Sequence, residues 1–296
     1  MISTSAIVVL IVSIVLGALY KPLDSNGLFA TQKPREWDIT SKNILLVTAH
    51  PDDETMFFAP TILSLQRKAD VNLYHLCLSN GNAEGLGETR RRELDHSLDI
   101  LGIPLTKRWL INHPDLQDNQ TASWNADVIA RSLEPYVLDL NVDTILTFDQ
   151  DGVSSHPNHK SIPEGVKLLI QNVRGKSTAH PRLYTLVSVS LPLKYISFVS
   201  GALTKLDISR YLFTLQLEFL VIRVLGIWYP DLLNPAIPRN PEAHAMPTFV
   251  LGYQGYLKAL EAMKAHESQL VWFRYLYVAF SRYMWVNTYS QVHVQL

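Results

Sequence analysis

NILLVTAHPDDE, residues 43–54, is a short apolar run that ends abruptly in His, Pro and acid. An unbroken apolar stretch of this length, closed by polar punctuation, suits a buried strand. The reading predicts a strand over Asn43–Ala49 with His50 to Glu54 in the turn that follows it. Working outward, a helix-like pattern covers Thr55–Lys68 and a second apolar run covers Val71–Ser79. A Gly-rich turn, Asn80–Gly87, leads into a strongly charged helix over Glu88–Leu101. Further strands are predicted at Thr106–Asn112, Asp143–Asp149 and Arg182–Ser190, with helices at Ser123–Leu140 and about Asn158–Asn172. Strand and helix alternate throughout, which calls for an α/β fold: a Rossmann-like parallel sheet flanked by helices, spanning residues 43–190.

The flanks differ in character. Residues 2–20 carry no charged side chain. As a helix they would rise about 28 Å at ~1.5 Å per residue, close to the roughly 30 Å hydrocarbon core of a bilayer. The expectation is a single-pass transmembrane anchor over residues 1–20. A cleaved secretory signal fits less well, because no basic residue precedes the apolar run and no A-x-A site follows it. Lys21, Lys33, Arg35 and Lys42 come after the run, so the bulk of the chain should face the cytosol. Residues 21–42 read as a polar linker. Past residue 190, residues 191–229 are apolar with Lys194, Lys205, Arg210 and Arg223 interspersed. They fit either core-packing helices or a segment lying on a membrane. A Pro-rich stretch, Pro230–Pro247, and an aromatic block, Val271–Tyr289, follow. Residues 191–296 are thus expected to complete the domain and to contact membrane.

Composition narrows the classes of partner. With 26 basic and 27 acidic residues there is no electrostatic case for nucleic acid. Cys77 is the sole cysteine, so no internal disulfide can form, and its place in an apolar run marks it as a small core residue. Cys-x-x-Cys pairs, a Gly-x-Gly-x-x-Gly turn and a P-loop are all missing.

Ligands of open α/β sheets bind at the carboxyl ends of strands. Two polar clusters fall there: His50-Pro51-Asp52-Asp53-Glu54 after the first strand, and Gln150 to His159 after the strand ending at Asp149. His50 and Asp53 are spaced to share one ion. Two histidines and a carboxylate leave a coordination position open, as a catalytic zinc requires. Asp52 beside them could serve as general base. A plainer account also exists: the acids cap the next helix and favour its dipole, and the histidines merely pack.

AHPDDE at 49–54 together with HPNH at 156–159 resembles the signature pair of the LmbE-like (PIG-L) zinc deacetylase family. SNGNAEGLGETRRREL at 79–94 and SQLVWFRYLYVAFSRYMWVN at 268–287 look like that family's eukaryotic membrane branch. The resemblance covers about residues 43–287. It implies Zn2+ held by His50, Asp53 and His159, with Asp52 as base. His156 would stabilise the oxyanion or protonate the leaving amine, and Arg90 would face substrate. The implied substrate is the glycolipid N-acetylglucosaminyl-phosphatidylinositol, deacetylated in the second step of glycosylphosphatidylinositol-anchor formation. The implied location is the endoplasmic reticulum membrane, with the catalytic domain on its cytosolic face. Ala49 stands where many relatives have Pro, a change that leaves every candidate ligand in place. Asn119-Gln120-Thr121 forms a glycosylation acceptor pattern, and a cytosolic domain would leave it unmodified.

Overall fold

The apolar run becomes the strand Asn43–Thr48, and Ile44, Leu45, Leu46 and Val47 are all fully buried. Burial on both faces of one strand requires a layer of helices on each side. The computed structural model describes residues 3–24, 42–176, 181–228 and 247–294. In these, one eight-stranded sheet is built from β1 (Leu23–Asp24), β2 (Asn43–Thr48), β3 (Asn72–Cys77), β4 (Arg108–Leu110), β5 (Thr144–Phe148), β6 (Arg182–Leu186), β7 (Thr248–Val250) and β8 (Val286–Val292). Their order across the sheet is β1-β7-β8-β6-β5-β2-β3-β4.

From β4 to β6 the sheet is parallel, as the alternation requires. Right-handed crossovers put Ala59–Leu65 and Gly87–Leu101 on one face, and Ala126–Asp139 and Pro157–Asn172 on the other. The last two pack tightly: a Cβ on Gly165 would lie 2.4 Å from Cγ2 of Ile129. The expected helix Thr55–Lys68 is broken at Phe57–Phe58 into Asp53–Met56 and Ala59–Leu65. Pro60 opens the second piece, where its missing N–H costs nothing.

The sheet as a whole is mixed, which corrects the all-parallel expectation. β8 runs antiparallel to β6, with Leu186 opposite Tyr289, and β7 and β1 extend the sheet antiparallel in turn. The residues after 246 therefore belong to the same sheet as the residues before 190. β7 and β6 both oppose β8, so β7 ends at the rim where β2 and β5 end. The excursion from β7 to β8 is consequently made at that rim. It carries the helices Tyr253–Lys264 and Trp272–Phe280.

The expected transmembrane span also needs correction. The N-terminal apolar run forms a 17-residue helix, Thr4–Tyr20, capped by the Ser3 hydroxyl. Its rise is about 25 Å at ~1.5 Å per residue, short of a roughly 30 Å core. No helix among the described residues is long and apolar enough to cross a membrane. The chain after it is docked, since β1 pairs with β7 and the Tyr20 carbonyl lies where a side chain on Gly252 would be. The apolar stretch 191–229 becomes a short helix, Leu191–Lys194, and one 32-residue helix, Ser197–Trp228. The start of the long helix packs inward through Ser200, while Leu203, Leu206, Phe213, Leu217 and Leu220 are exposed. Most of the linker (25–41) and of the Pro-rich stretch (229–246) lies outside the described residues. Cys77 is buried as expected, and burial pushes its thiol up.

Candidate active site

The turn after β2 is held by its own acid. Asp53 Oδ2 accepts from the backbone N–H groups of Ala49 and His50, at 3.0 and 2.9 Å. That leaves Oδ1 facing His159 Nε2 at 3.2 Å. Asp52, next in the turn, is forced to φ 104°, a conformation that side chains with a Cβ rarely adopt. Its N–H is anchored by Glu54 Oε2 at 3.0 Å. The strained turn therefore aims the carboxylates of Asp52 and Asp53 differently although they are adjacent.

After β5, Gly152 adopts φ 61° and a Cβ there would meet His159 Cβ at 2.8 Å, so glycine is needed twice over. The Gly152 carbonyl lies 3.1 Å from His159 Nδ1, with Ser154 Oγ at 3.2 Å. This assigns the His159 proton to Nδ1 and leaves the Nε2 lone pair pointing into the site. The ring is stacked on Phe148 at 4.1 Å between centroids. His50 is fixed by the opposite arrangement. Its Nε2 lies 3.0 Å from Asn158 Oδ1, an oxygen identified by the donation of Asn158 Nδ2 to the Ala122 carbonyl. The His50 proton is then on Nε2, and the free lone pair on Nδ1 faces Asp53 Oδ2 at 3.9 Å. His156 caps the helix Pro157–Asn172, its Nδ1 accepting from Asn158 N–H at 3.2 Å. Its Nε2 therefore carries a proton.

Ligand atoms of His50, His156 and His159 lie within 4.8 Å of one another, and Asp53 adjoins two of them. A divalent cation fits this set. The Asn158 amide and the Gly152 carbonyl each hold one nitrogen of a buried imidazole and free the other toward a buried carboxylate, the usual arrangement around a metal. The electrostatics agree. Burial would raise the Asp53 carboxyl, but His159 and His50 overcome it and hold the carboxyl well below the usual range. Burial would lower His159, and Asp53 raises it instead. Burial, with His50 and His159 close by, lowers His156 to about 4.

All six residues singled out in the sequence meet at this rim, and four others join them. Asp118, in the loop after β4, puts Oδ1 3.3 Å from His50 Nε2 and 3.8 Å from His156 Nε2. Asn158 orients His50. Arg274, on the helix Trp272–Phe280, pairs with Asp52. His266, at 2.7 Å, pairs with Glu54 in a buried contact behind the turn. Arg90 is more enclosed than a substrate-facing role suggests. Its guanidinium donates to the carbonyls of Gly81 and Pro51 and to Asp118, and lies 3.7 Å from Asp52. Asn158 stood inside a quoted motif, and Arg274 was one of two cations in the aromatic block 271–289, so both had a signal. Asp118 had none, being one acid in an aperiodic loop.

Residues 45–170 match the PIG-L family, GlcNAc-PI de-N-acetylase. The N-acetylglucosaminyl-phosphatidylinositol de-N-acetylase of Bos taurus is 38% identical over 244 residues, 82% of this chain and 81% of that protein. The chain belongs to this family. Another member, the N-acetylglucosaminyl-phosphatidylinositol de-N-acetylase of Saccharomyces cerevisiae, is 36% identical over 83% of this chain and 80% of its own length. The family's fold is also seen in a solved structure, the N,N'-diacetylchitobiose deacetylase of Pyrococcus horikoshii. It aligns with a TM-score of 0.52 and 14% identity, over 86% of this chain and 84% of that one.

Proposed function

We propose that the chain hydrolyses the acetamide of N-acetylglucosaminyl-phosphatidylinositol, releasing acetate and leaving glucosaminyl-phosphatidylinositol for anchor assembly. The observation that carries this reading is the site's division of labour. Lone pairs of His50 and His159 converge with Asp53, while Asp52 and the His156 N–H flank them on the open side. His50, Asp53 and His159 would hold a divalent cation, and their nitrogen-rich donor set suits Zn2+. Such an ion would polarise an acetyl carbonyl and make water more acidic. Asp52 takes the proton of the attacking water and passes it to the departing amine. His156 Nε2–H donates to the carbonyl oxygen as negative charge builds there. Asp118 faces His156 and His50, and Arg90 braces Asp118 against the turn.

The substrate assignment draws on the names of the relatives and on the surface around the site. The helix Trp272–Phe280 sends Arg274 and Tyr277 inward, while Trp272 (76% exposed), Phe273, Tyr275, Leu276 and Phe280 face outward. Aromatic side chains at the mouth of a site suit the headgroup level of a bilayer, where such rings settle. The helix Thr4–Tyr20 presents further exposed apolar side chains. On this reading the chain works at the endoplasmic reticulum membrane, from its cytosolic face. Purified full-length protein should release acetate from N-acetylglucosaminyl-phosphatidylinositol, lose that activity to a chelator and regain it with zinc. Turnover that persists in a protein shown to be metal-free would overturn the metal assignment. Absence of acetate release from metal-loaded protein would overturn the reaction.

A further inference from the structure

Two guanidinium groups approach the carboxylate proposed as base, and they differ in what else they hold. Arg90 is built in. It is 8% exposed and its donors are shared among two carbonyls and Asp118, at 2.8, 2.9 and 3.2 Å. Arg274 comes from the rim. Its side chain is 24% exposed, it meets Asp52 Oδ2 and the Met56 sulfur, and it projects from a helix whose outer face is aromatic and open. Oδ2 of Asp52 is thus occupied by a cation that reaches it from a partly exposed side chain. A guanidinium N–H on that oxygen takes one of its two lone pairs and competes with water for the carboxylate.

The geometry points to Arg274 as the residue that recognises the phosphodiester of the substrate, moving onto it from Asp52 when the glycolipid binds. This deepens the glycolipid reading above and rests on it. In such a substrate the phosphodiester is separated from the N-acetylglucosamine by one inositol ring. It must also lie between the reaction centre and the lipid chains. Arg274 occupies that place in the protein, between Asp52 on one side and the outward aromatic side chains of its own helix on the other. A guanidinium binds a phosphodiester as readily as a carboxylate, through paired charge-assisted hydrogen bonds. Substrate binding then does two things at once: it satisfies Arg274 and it clears Oδ2 of the base. An N-acetyl sugar lacking phosphate leaves Arg274 where it is.

The test compares two lipid-linked substrates presented to the full-length, metal-loaded protein in detergent. One is N-acetylglucosaminyl-phosphatidylinositol, and the other replaces its phosphodiester by an uncharged ether of the same length. The wild-type protein should prefer the phosphate-bearing substrate in kcat/KM by roughly 10- to 100-fold, the value of one hydrogen bond between charged groups. Arg274→Gln should bring that ratio close to unity. Arg274→Lys, which keeps the charge but not the fork, should fall between them and carries the test if the Gln variant does not fold. A ratio unchanged in either variant, or no preference in the wild type, overturns the assignment while leaving the deacetylase reading intact. Failure of the wild-type protein on both substrates overturns the deacetylase reading and this inference with it.

Discussion

His50 owes its free lone pair to an amide far away in sequence: Asn158 Oδ1 accepts the Nε2 proton, and its Nδ2 donates to the Ala122 carbonyl. Removing that amide frees the imidazole to rotate and change tautomer. Asn158→Ala should therefore weaken zinc affinity by about 10- to 100-fold, the usual effect of losing a partner of a metal-bound histidine. Titration of the apoprotein with zinc measures this, and an unchanged affinity would refute the role. Asp52→Asn is a different kind of change. It leaves His50, Asp53 and His159 in place but removes the proton acceptor, so kcat should drop about 10²- to 10⁴-fold with metal content unaltered. Near-normal turnover in a folded, metal-loaded Asp52→Asn protein would put the base elsewhere. The candidate residues were legible in the sequence because strand ends concentrate them: His50 and Asp53 fall after β2, His156 and His159 after β5. What orients them was less legible. Asp118 reaches the site only through the path of a loop, and no spacing in the sequence encodes that path.

At the scale of elements, a buried carboxylate is one of the links that fasten the C-terminal part of the chain to the turn after β2. Glu54 accepts from His266 at 2.7 Å, from Ser97 at 2.6 Å and from Thr55 at 2.9 Å, while its other oxygen holds the Asp52 N–H. Both Glu54 and His266 are fully buried. His266→Ala strands that carboxylate with hydroxyls and one amide, and should destabilise the protein by about 3 kcal/mol in denaturant unfolding. The loss should depend on pH with a definite sign. Burial would raise Glu54, but His266 overrides it and lowers the carboxyl from 4.5 to about 2. This contribution is present above 4.5 and fades as pH falls toward 2. Burial would lower His266, but Glu54 raises it above 6.5. That contribution is whole below 6.5 and fades as pH rises through the raised value. The gap between wild type and His266→Ala should accordingly be widest between pH 4.5 and 6.5. A gap that is flat across pH would show that packing, not charge, makes the link. The parallel half of the fold was readable because its strands are apolar runs separated by helices. β7 has three residues and β8 starts within an aromatic block, so neither shows a period of its own. Their antiparallel pairing appears only when the sheet is assembled.

Over the whole molecule, apolar surface is gathered on three helices, Thr4–Tyr20, Ser197–Trp228 and Trp272–Phe280, and the first and third both pack on the second. We propose that a bilayer covers the side chains exposed in this way along packed helices. If that bilayer is the endoplasmic reticulum membrane, the domain faces either lumen or cytosol, and Asn119 distinguishes the two. Asn119 is exposed, in the loop beside the site, within the acceptor pattern Asn119-Gln120-Thr121. Its Oδ1 accepts from the Thr121 and Ala122 N–H groups in a tight turn, and folding does not bury it. A lumenal domain would present this site to the glycosylation machinery and a cytosolic one would not. The cytosolic orientation proposed above predicts that Asn119 is unmodified in native membranes. Endoglycosidase should leave gel mobility unchanged, and protease added to sealed microsomes should digest the domain without detergent. A glycan on Asn119, or protection that detergent abolishes, would place the site in the lumen. It would then require a lumenal supply of the glycolipid.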